Sequence, residues 1–229
     1  MAKQRVGKMA FWNRSKSRFS SPVFNAGDTK GFWQWFSQNE VELASGFTSY
    51  FAGQNRDDAH GDALGGALKR FHPELVFEMG KLESGKLDFV ISADGIFDNF
   101  PAVLSLYRGS PESSRFQFTA FRQRAPHLSL SMFGETFQAE TTQFTIKPSE
   151  YHEGKFDLTV FMGHFPLDLK QLRHAAFILL DTAIGEYDME TLIGGFEVLE
   201  VPPAFETSAR PLTELPAYLD ESLGSLKRH

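Results

Sequence analysis

Apolar residues recur every three or four positions in several parts of the chain, which is the spacing of one face of an α-helix. After Asp28, a favourable N-cap residue, one such face contains Trp33, Phe36, Glu40 and Leu43. Further helices are predicted from Asp57 or Asp58 to about Phe71, over the short segment NFPAVLSLY, from Asp168 to Ile184, and in the segment LTELPAYLDESL. Gly185 follows the long helix at the position where glycine commonly ends one.

Strict alternation of apolar and polar residues predicts β-strands in other segments. Three pairs of strand-like runs lie within residues 74–95, 115–134 and 142–163, and a last strand is predicted in TLIGGFEVLEV. One face of these strands is apolar and the other is rich in Ser, Thr and Gln. The pattern predicts an α+β fold: a single domain with a mainly antiparallel sheet of about six or seven strands and helices packed on one face.

Charge divides the chain unevenly. Residues 1–27 hold six basic residues and no acid, whereas the remainder holds 17 bases and 29 acids, a net charge of −12. We therefore expect a flexible basic tail at residues 1–27, an α+β domain at 28–203 and a C-terminal arm at 204–229 that docks on the domain. The favoured interpretation of the tail is a solvated segment or one that folds back on the acidic body. The alternative is contact with nucleic acid or acidic lipid, through Lys3, Arg5, Lys8, Arg14, Lys16 and Arg18.

Composition removes several classes of function. The chain has no cysteine, which excludes disulfides, a thiol nucleophile and any Cys-ligated metal. It has no apolar run of about 18 residues, so no transmembrane segment is expected. The start lacks the apolar region of a signal peptide. These features predict a cytoplasmic protein.

The segment from Leu179 to Glu200 contains a cluster of acids, which we call the acidic corner: Asp181, Glu186, Asp188 and Glu190. Helix capping and salt bridges where a helix turns into a strand are the favoured interpretation. Asp181 is unusual, because an acid in the last turn of a helix opposes the helix dipole. The alternative is a metal site made by these four carboxylates.

Three other positions are candidates for chemistry. Glu40 lies on an aromatic helix face, where the favoured interpretation is a side chain at the edge of the face that reaches solvent. The alternative is a partly buried carboxylate with a raised pKa, suited to general acid–base catalysis. His164 ends a strand in MGHFP, a position where ligands often lie. Arg122 and Arg124 could clamp a carboxylate or a phosphate, although arginines at a strand end are more often ordinary surface charges. A carboxylate-based or metal-dependent hydrolase would use Glu40, Asp181, Glu186, Asp188 and His164.

No assembled catalytic motif is present. The chain has no nucleophile elbow, no phosphate-binding loop and no dinucleotide fingerprint, so no cofactor is predicted. A non-catalytic interaction or regulatory protein with a protein partner of unknown identity is therefore the leading hypothesis. The hydrolase and anionic-surface binding through residues 1–27 are its alternatives.

Three segments carry a resemblance to a family. FWQWFSQNE, DFVISADGIFDNFPAV and LLDTAIGEYDMETLIG resemble the motifs F-W-x-W-F-x-x-N-E, I-S-A-D-G and L-D-x-x-x-G-E-Y-D-x-E-x-x-I-G of a family of uncharacterised bacterial proteins with a domain of unknown function. The resemblance covers most of residues 30–218 and excludes the basic tail. It implies a cytoplasmic bacterial protein and assigns no activity.

Overall fold

The computed structural model describes residues 19–54, 58–125, 129–201 and 208–226. These residues form six α-helices and nine β-strands, which confirms the α+β class. The helices are α1 (Thr29–Phe51), α2 (Ala59–Phe71), α3 (Phe100–Arg108), α4 (Leu169–Ile184), α5 (Glu186–Leu192) and α6 (Leu215–Leu226). The strands are β1 (Val76–Lys81), β2 (Leu87–Ser92), β3 (Phe116–Ala120), β4 (Ser129–Met132), β5 (Glu135–Gln138), β6 (Gln143–Pro148), β7 (Phe156–Phe161), β8 (Ile193–Leu199) and β9 (Arg210–Pro211).

The chain divides into two compact units, with the boundary between Phe121 and Arg122. The N-terminal unit has α1 to α3 and a three-stranded sheet in the order β1-β2-β3. The C-terminal unit has α4 to α6, the two-stranded β4–β5 sheet and a four-stranded sheet in the order β8-β7-β6-β9. Each unit has its own cluster of buried apolar side chains.

The N-terminal unit is organised around aromatic rings on α1. Asp28 caps this helix by accepting a hydrogen bond from the Gly31 amide at 2.9 Å, as its position in the sequence predicts. Phe36 on the helix stacks on Phe89 of β2 and packs edge-to-face on Phe116 of β3. Such ring pairs contribute about 0.5–1.5 kcal/mol beyond the burial of their area. The phenylalanine content of the sequence thus supplies the core of this unit.

Helix α4 provides the central apolar face of the C-terminal unit. Asp168 caps it, and Gln171 completes a capping box. Leu172, Leu179 and Leu180 pack with the inner side chains of β6, β7 and β8. Helix α6 adds further buried leucines to the same core, Leu215 and Leu219.

The prediction of one antiparallel sheet of six or seven strands is wrong. The first and third strand pairs form the expected hairpins, β1–β2 and β6–β7. The second pair does not form, because β3 crosses over through α3 and lies parallel to β2, while β4 pairs with β5 instead. Strand β8 also lies parallel to β7. The described strands therefore form three small sheets.

The acidic corner also differs from the predicted direct turn of a helix into a strand. Residues 186–192 form the short helix α5, which begins immediately after Gly185. The basic tail and its six Lys and Arg candidates fall within residues 1–27, of which 1–18 lie outside the described residues. The bounds predicted for tail, domain and arm stay predictions.

Candidate functional site

The acidic corner of the C-terminal unit is built around an ion pair between Arg122 and Asp181. Arg122 Nε donates to Asp181 Oδ2 at 2.7 Å, and Nη2 lies 3.4 Å from Oδ1. The two side chains are only 12% and 6% exposed. Asp181 occupies the last turn of α4, where the helix dipole disfavours an acid. Arg122 offsets this cost with a charge-assisted, two-pronged contact.

Backbone hydrogen bonds hold residues 122–125 along the junction of α4 and α5. The Arg122 amide donates to Glu186 Oε2 at 3.1 Å, and the Glu186 amide donates to the Arg122 carbonyl at 3.0 Å. The Ala125 amide donates to the Thr182 carbonyl at 2.7 Å. Glu186 is fully buried, so its carboxylate serves this segment from inside the unit.

Gly185 permits that close approach. Its φ of +85° with ψ of 153° lies in a region that is essentially restricted to glycine. A Cβ at this position would lie 3.1 Å from the Arg122 carbonyl oxygen. Gly185 therefore has two roles. It ends α4, as the sequence predicts, and its lack of a side chain lets residues 122–125 pack closely against it.

Arg124 connects three parts of the same unit. It donates to Asp188 on α5, to Asp220 Oδ2 on α6 at 2.8 Å, and through Nε to the Ile184 carbonyl at 3.0 Å. The hydrogen bond to Asp220 is the largest cause of a raised pKa for the Arg124 guanidinium. Burial opposes that shift, while Asp188 reinforces it. The guanidinium stays charged and joins α4, α5 and α6.

The surroundings of Glu190 in the acidic corner disfavour its charged form. Burial is the main cause of its raised pKa, and the carboxylates of Asp181 and Glu186 add to the shift. Lys155 and Arg122 act in the opposite direction. Lys155 Nζ also donates to the Glu190 backbone carbonyl at 2.7 Å. Partial burial among other acids therefore favours the protonated form of this carboxyl relative to an exposed glutamate.

Within the C-terminal unit, the structure brings together Asp181, Glu186, Asp188 and Glu190 but not His164. Glu40 belongs to the N-terminal unit, where its carboxylate accepts a hydrogen bond from the Ser113 hydroxyl. His164 is 80% exposed, and its Nδ1 lies 3.2 Å from Glu200 Oε1 at the surface. Within the part of the chain that the structure describes, no three His, Asp or Glu side chains are arranged to hold a metal ion. The catalytic and metal roles stay predictions.

Sequence reasoning identified Arg122 and Arg124 as a possible clamp for a carboxylate, and the structure shows that carboxylates of the same unit occupy it. It missed Lys155 and Asp220. Lys155 follows a turn glycine and Asp220 lies on α6, so neither stands out by spacing. Their roles depend on contacts across at least 35 positions of sequence.

A second notable feature of the C-terminal unit is the tip of the β4–β5 hairpin. Phe133 and Gly134 form its two-residue turn with φ values of +57° and +83°, the signs of a type I′ turn. Phe133 is 45% exposed, and its ring packs edge-to-face against His174 of α4 at 6.0 Å. The outer face of this hairpin is neutral and exposed, with Ser129, Ser131, Thr136 and Gln138.

Comparison with protein-family models, curated proteins and solved structures found no significant match to this chain. The resemblance of three segments to a bacterial family therefore stays a prediction. No helix among the described residues is long and apolar enough to cross a membrane.

Proposed function

We propose that the protein is a non-catalytic interaction or regulatory protein that contacts a protein partner through Phe133. The observation that carries this proposal is the conformation of Phe133: a large, exposed aromatic residue with φ of +57° at a hairpin tip. A left-handed conformation costs a residue with a Cβ about 1–2 kcal/mol. Asn, Asp or Gly would fill the same turn position with less strain.

The surroundings of Phe133 support a contact role. The ring contacts His174, which fixes its direction while almost half of its surface faces solvent. Aromatic residues with few rotatable bonds are typical anchors of protein interfaces. Next to the ring lies the uncharged Ser, Thr and Gln face of the hairpin, which a partner can cover without removing ionised groups from water.

The contacts of the acidic corner also favour a non-catalytic protein, because they give its acids a structural role. Asp181 and Asp188 are ion-paired to Arg122 and Arg124, and the Glu186 carboxylate accepts a backbone amide. Three of the four acids thus hold α4, α5 and residues 122–125 together. Ion-pair networks of this kind are a common structural reason for a cluster of acids.

The test is capture of partners from a lysate of the source organism, with the tagged full-length protein and mass spectrometry. Phe133→Asn removes the ring but suits the type I′ turn. Tyr151→Asn is the matched control, because Tyr151 is an 85% exposed aromatic residue in a different turn of the same unit. A specific partner retained by Tyr151→Asn and lost with Phe133→Asn is the expected result. No specific partner, or equal capture by Phe133→Asn, contradicts the proposal.

A carboxylate-based hydrolase is the second candidate, and Glu190 is the observation that favours it. Its raised pKa and its position near the carboxyl groups of Asp181 and Glu186 suit a general acid. A panel of ester, phosphoester and glycoside substrates, with and without Mg²⁺, Ca²⁺, Mn²⁺ or Zn²⁺, tests it. The expected result is hydrolysis that Glu190→Gln abolishes. No turnover, together with no thermal shift by any of the ions, rejects this candidate.

A further inference from the structure

Strand β4 leaves one edge without a neighbouring strand among the described residues. Its register with β5 pairs Met132 with Glu135 and Leu130 with Phe137. In a hairpin with a two-residue turn, the residues that flank the turn exchange hydrogen bonds, and hydrogen-bonded pairs then alternate. Met132 and Leu130 therefore direct their amides and carbonyls toward β5. Those of Ser129 and Ser131 point away from it.

The outward groups of β4 are available for pairing. In the described part of the chain, no backbone hydrogen bond joins Ser129 or Ser131 to any other segment. Both residues are exposed, and the four residues of β4 include no charge and no proline. Soluble proteins commonly protect such an edge with lysine, proline or a bulge. None of these devices is present within β4.

We propose that β4 pairs with β4 of a second copy of this chain, antiparallel and about a two-fold axis at Leu130. Ser129 of each copy then faces Ser131 of the other, and each of these two pairs exchanges two backbone hydrogen bonds. Leu130 faces Leu130 of the second copy in the intervening pair without hydrogen bonds. The two hairpins form one four-stranded antiparallel sheet in the order β5-β4-β4-β5.

Two properties identify a second copy as the occupant of this edge. First, the strand is self-complementary in this register. Serines lie opposite serines on the polar face, and leucine lies opposite leucine on the apolar face, so the joined sheet has one polar and one apolar face. Second, the chain carries a net charge of −6, so two copies repel each other on balance. An uncharged edge with an uncharged outer face is where that repulsion is weakest.

This pairing is independent of the partner proposed for Phe133, because the Phe133 ring makes none of the four hydrogen bonds. The two ideas therefore fail separately. Loss of a captured protein with Phe133→Asn concerns the hairpin tip, whereas self-association of the purified chain concerns the β4 edge.

Proline substitution tests the edge directly. Ser131→Pro deletes one outward N–H in each copy, hence two of the four intermolecular hydrogen bonds, and leaves the bonds to β5 intact. Thr136→Pro is the matched control, because Thr136 lies opposite Ser131 and points its N–H to the other edge of the hairpin. Sedimentation equilibrium of the full-length protein from low micromolar to near-millimolar concentration measures the association. We expect a concentration-dependent dimer that Ser131→Pro weakens at least about tenfold and Thr136→Pro does not.

A cross-link tests the register without a proline. The chain has no cysteine, so Leu130→Cys introduces a single thiol at the proposed axis. Antiparallel pairs without hydrogen bonds bring Cα atoms to about 4.5 Å, within the range that a disulfide spans. Mild oxidation is expected to convert Leu130→Cys to a covalent dimer and to leave Thr136→Cys monomeric. A wild-type protein that stays monomeric at the highest concentration, or equal cross-linking by both variants, overturns the proposal.

Discussion

The Arg122 guanidinium lies 2.7 Å from the Asp181 carboxylate, and both side chains are almost fully buried. Removing one partner of such a buried pair takes away a direct counter-charge of the other, which typically costs about 3–5 kcal/mol. We expect Arg122→Met to lower the free energy of unfolding of the C-terminal unit by this amount, measured by urea denaturation. The double variant Arg122→Met/Asp181→Leu should recover much of the loss, because neither charge remains.

The exposed pair of Lys147 and Glu150, 3.4 Å apart, is the control for that experiment. Exposed ion pairs contribute about 0–1 kcal/mol, so Lys147→Met should change stability little. An Arg122→Met protein as stable as Lys147→Met would show that the buried pair does not hold the acidic corner.

Gly185 should not tolerate a side chain. Gly185→Ala places a Cβ 3.1 Å from the Arg122 carbonyl and forces alanine into a backbone region restricted to glycine. We expect a loss of about 1–3 kcal/mol in thermal or urea unfolding. Gly66→Ala is the opposite case: it lies inside α2 with open space around the added Cβ, and it should stabilise the protein by about 0.5–1 kcal/mol. Equal effects at both positions would contradict this assignment.

Glu190 predicts a dependence of stability on pH with a defined sign. Its pKa is raised in the fold, mainly by burial, so its charged form is disfavoured there. The stability linked to its proton is fully present below the pKa of the unfolded chain and is lost as pH rises through the pKa of the folded state. Glu190→Gln should therefore melt at a higher temperature than the wild type at neutral pH, and the difference should shrink on acidification. The exposed Glu150→Gln controls for the loss of one negative charge. A difference that grows toward acid pH would refute the prediction.

The strain at Phe133 predicts an unusual result for an aromatic substitution. Phe133→Asn should leave the free energy of unfolding unchanged or raise it by about 1 kcal/mol, since asparagine adopts the left-handed conformation more readily. Urea denaturation of the same protein used for partner capture measures this. A clear loss of stability would mean that the contact between Phe133 and His174 serves the fold and that the ring is not primarily a binding group.

Local signals in the sequence located most of the helices but could not pair the strands. Asp28 and Asp168 are N-caps whose side chains bond within one turn, so nearby residues suffice to place α1 and α4. The pairing of β3 depends on α3, which connects β2 to β3 so that the two strands lie parallel. Adjacency in the sequence predicted instead that β3 and β4 form a hairpin. Phenylalanine is not a residue expected in a type I′ turn, so the sequence does not predict the β4–β5 hairpin that turns at Phe133.

The candidate site was predictable in its residues and not in its contacts. The acids of the corner and Arg122 and Arg124 stand out in the sequence by charge and context. That Arg122 meets Asp181 across 59 positions of sequence is a property of the folded C-terminal unit. Helix α5 was missed because it has only seven residues and follows α4 with a single glycine between them.

The distribution of core residues sets an order in which the two units can fold during synthesis. The apolar cluster of the N-terminal unit uses residues up to Phe121, so it can close as soon as that part of the chain has left the ribosome. The cluster of the C-terminal unit includes Leu212, Leu215 and Leu219, and it stays open until almost a hundred further residues have emerged. During that interval the nascent chain exposes the inner face of α4 and the edge of β7. This is the stage at which chaperones, or a premature encounter between two growing chains, can act on it.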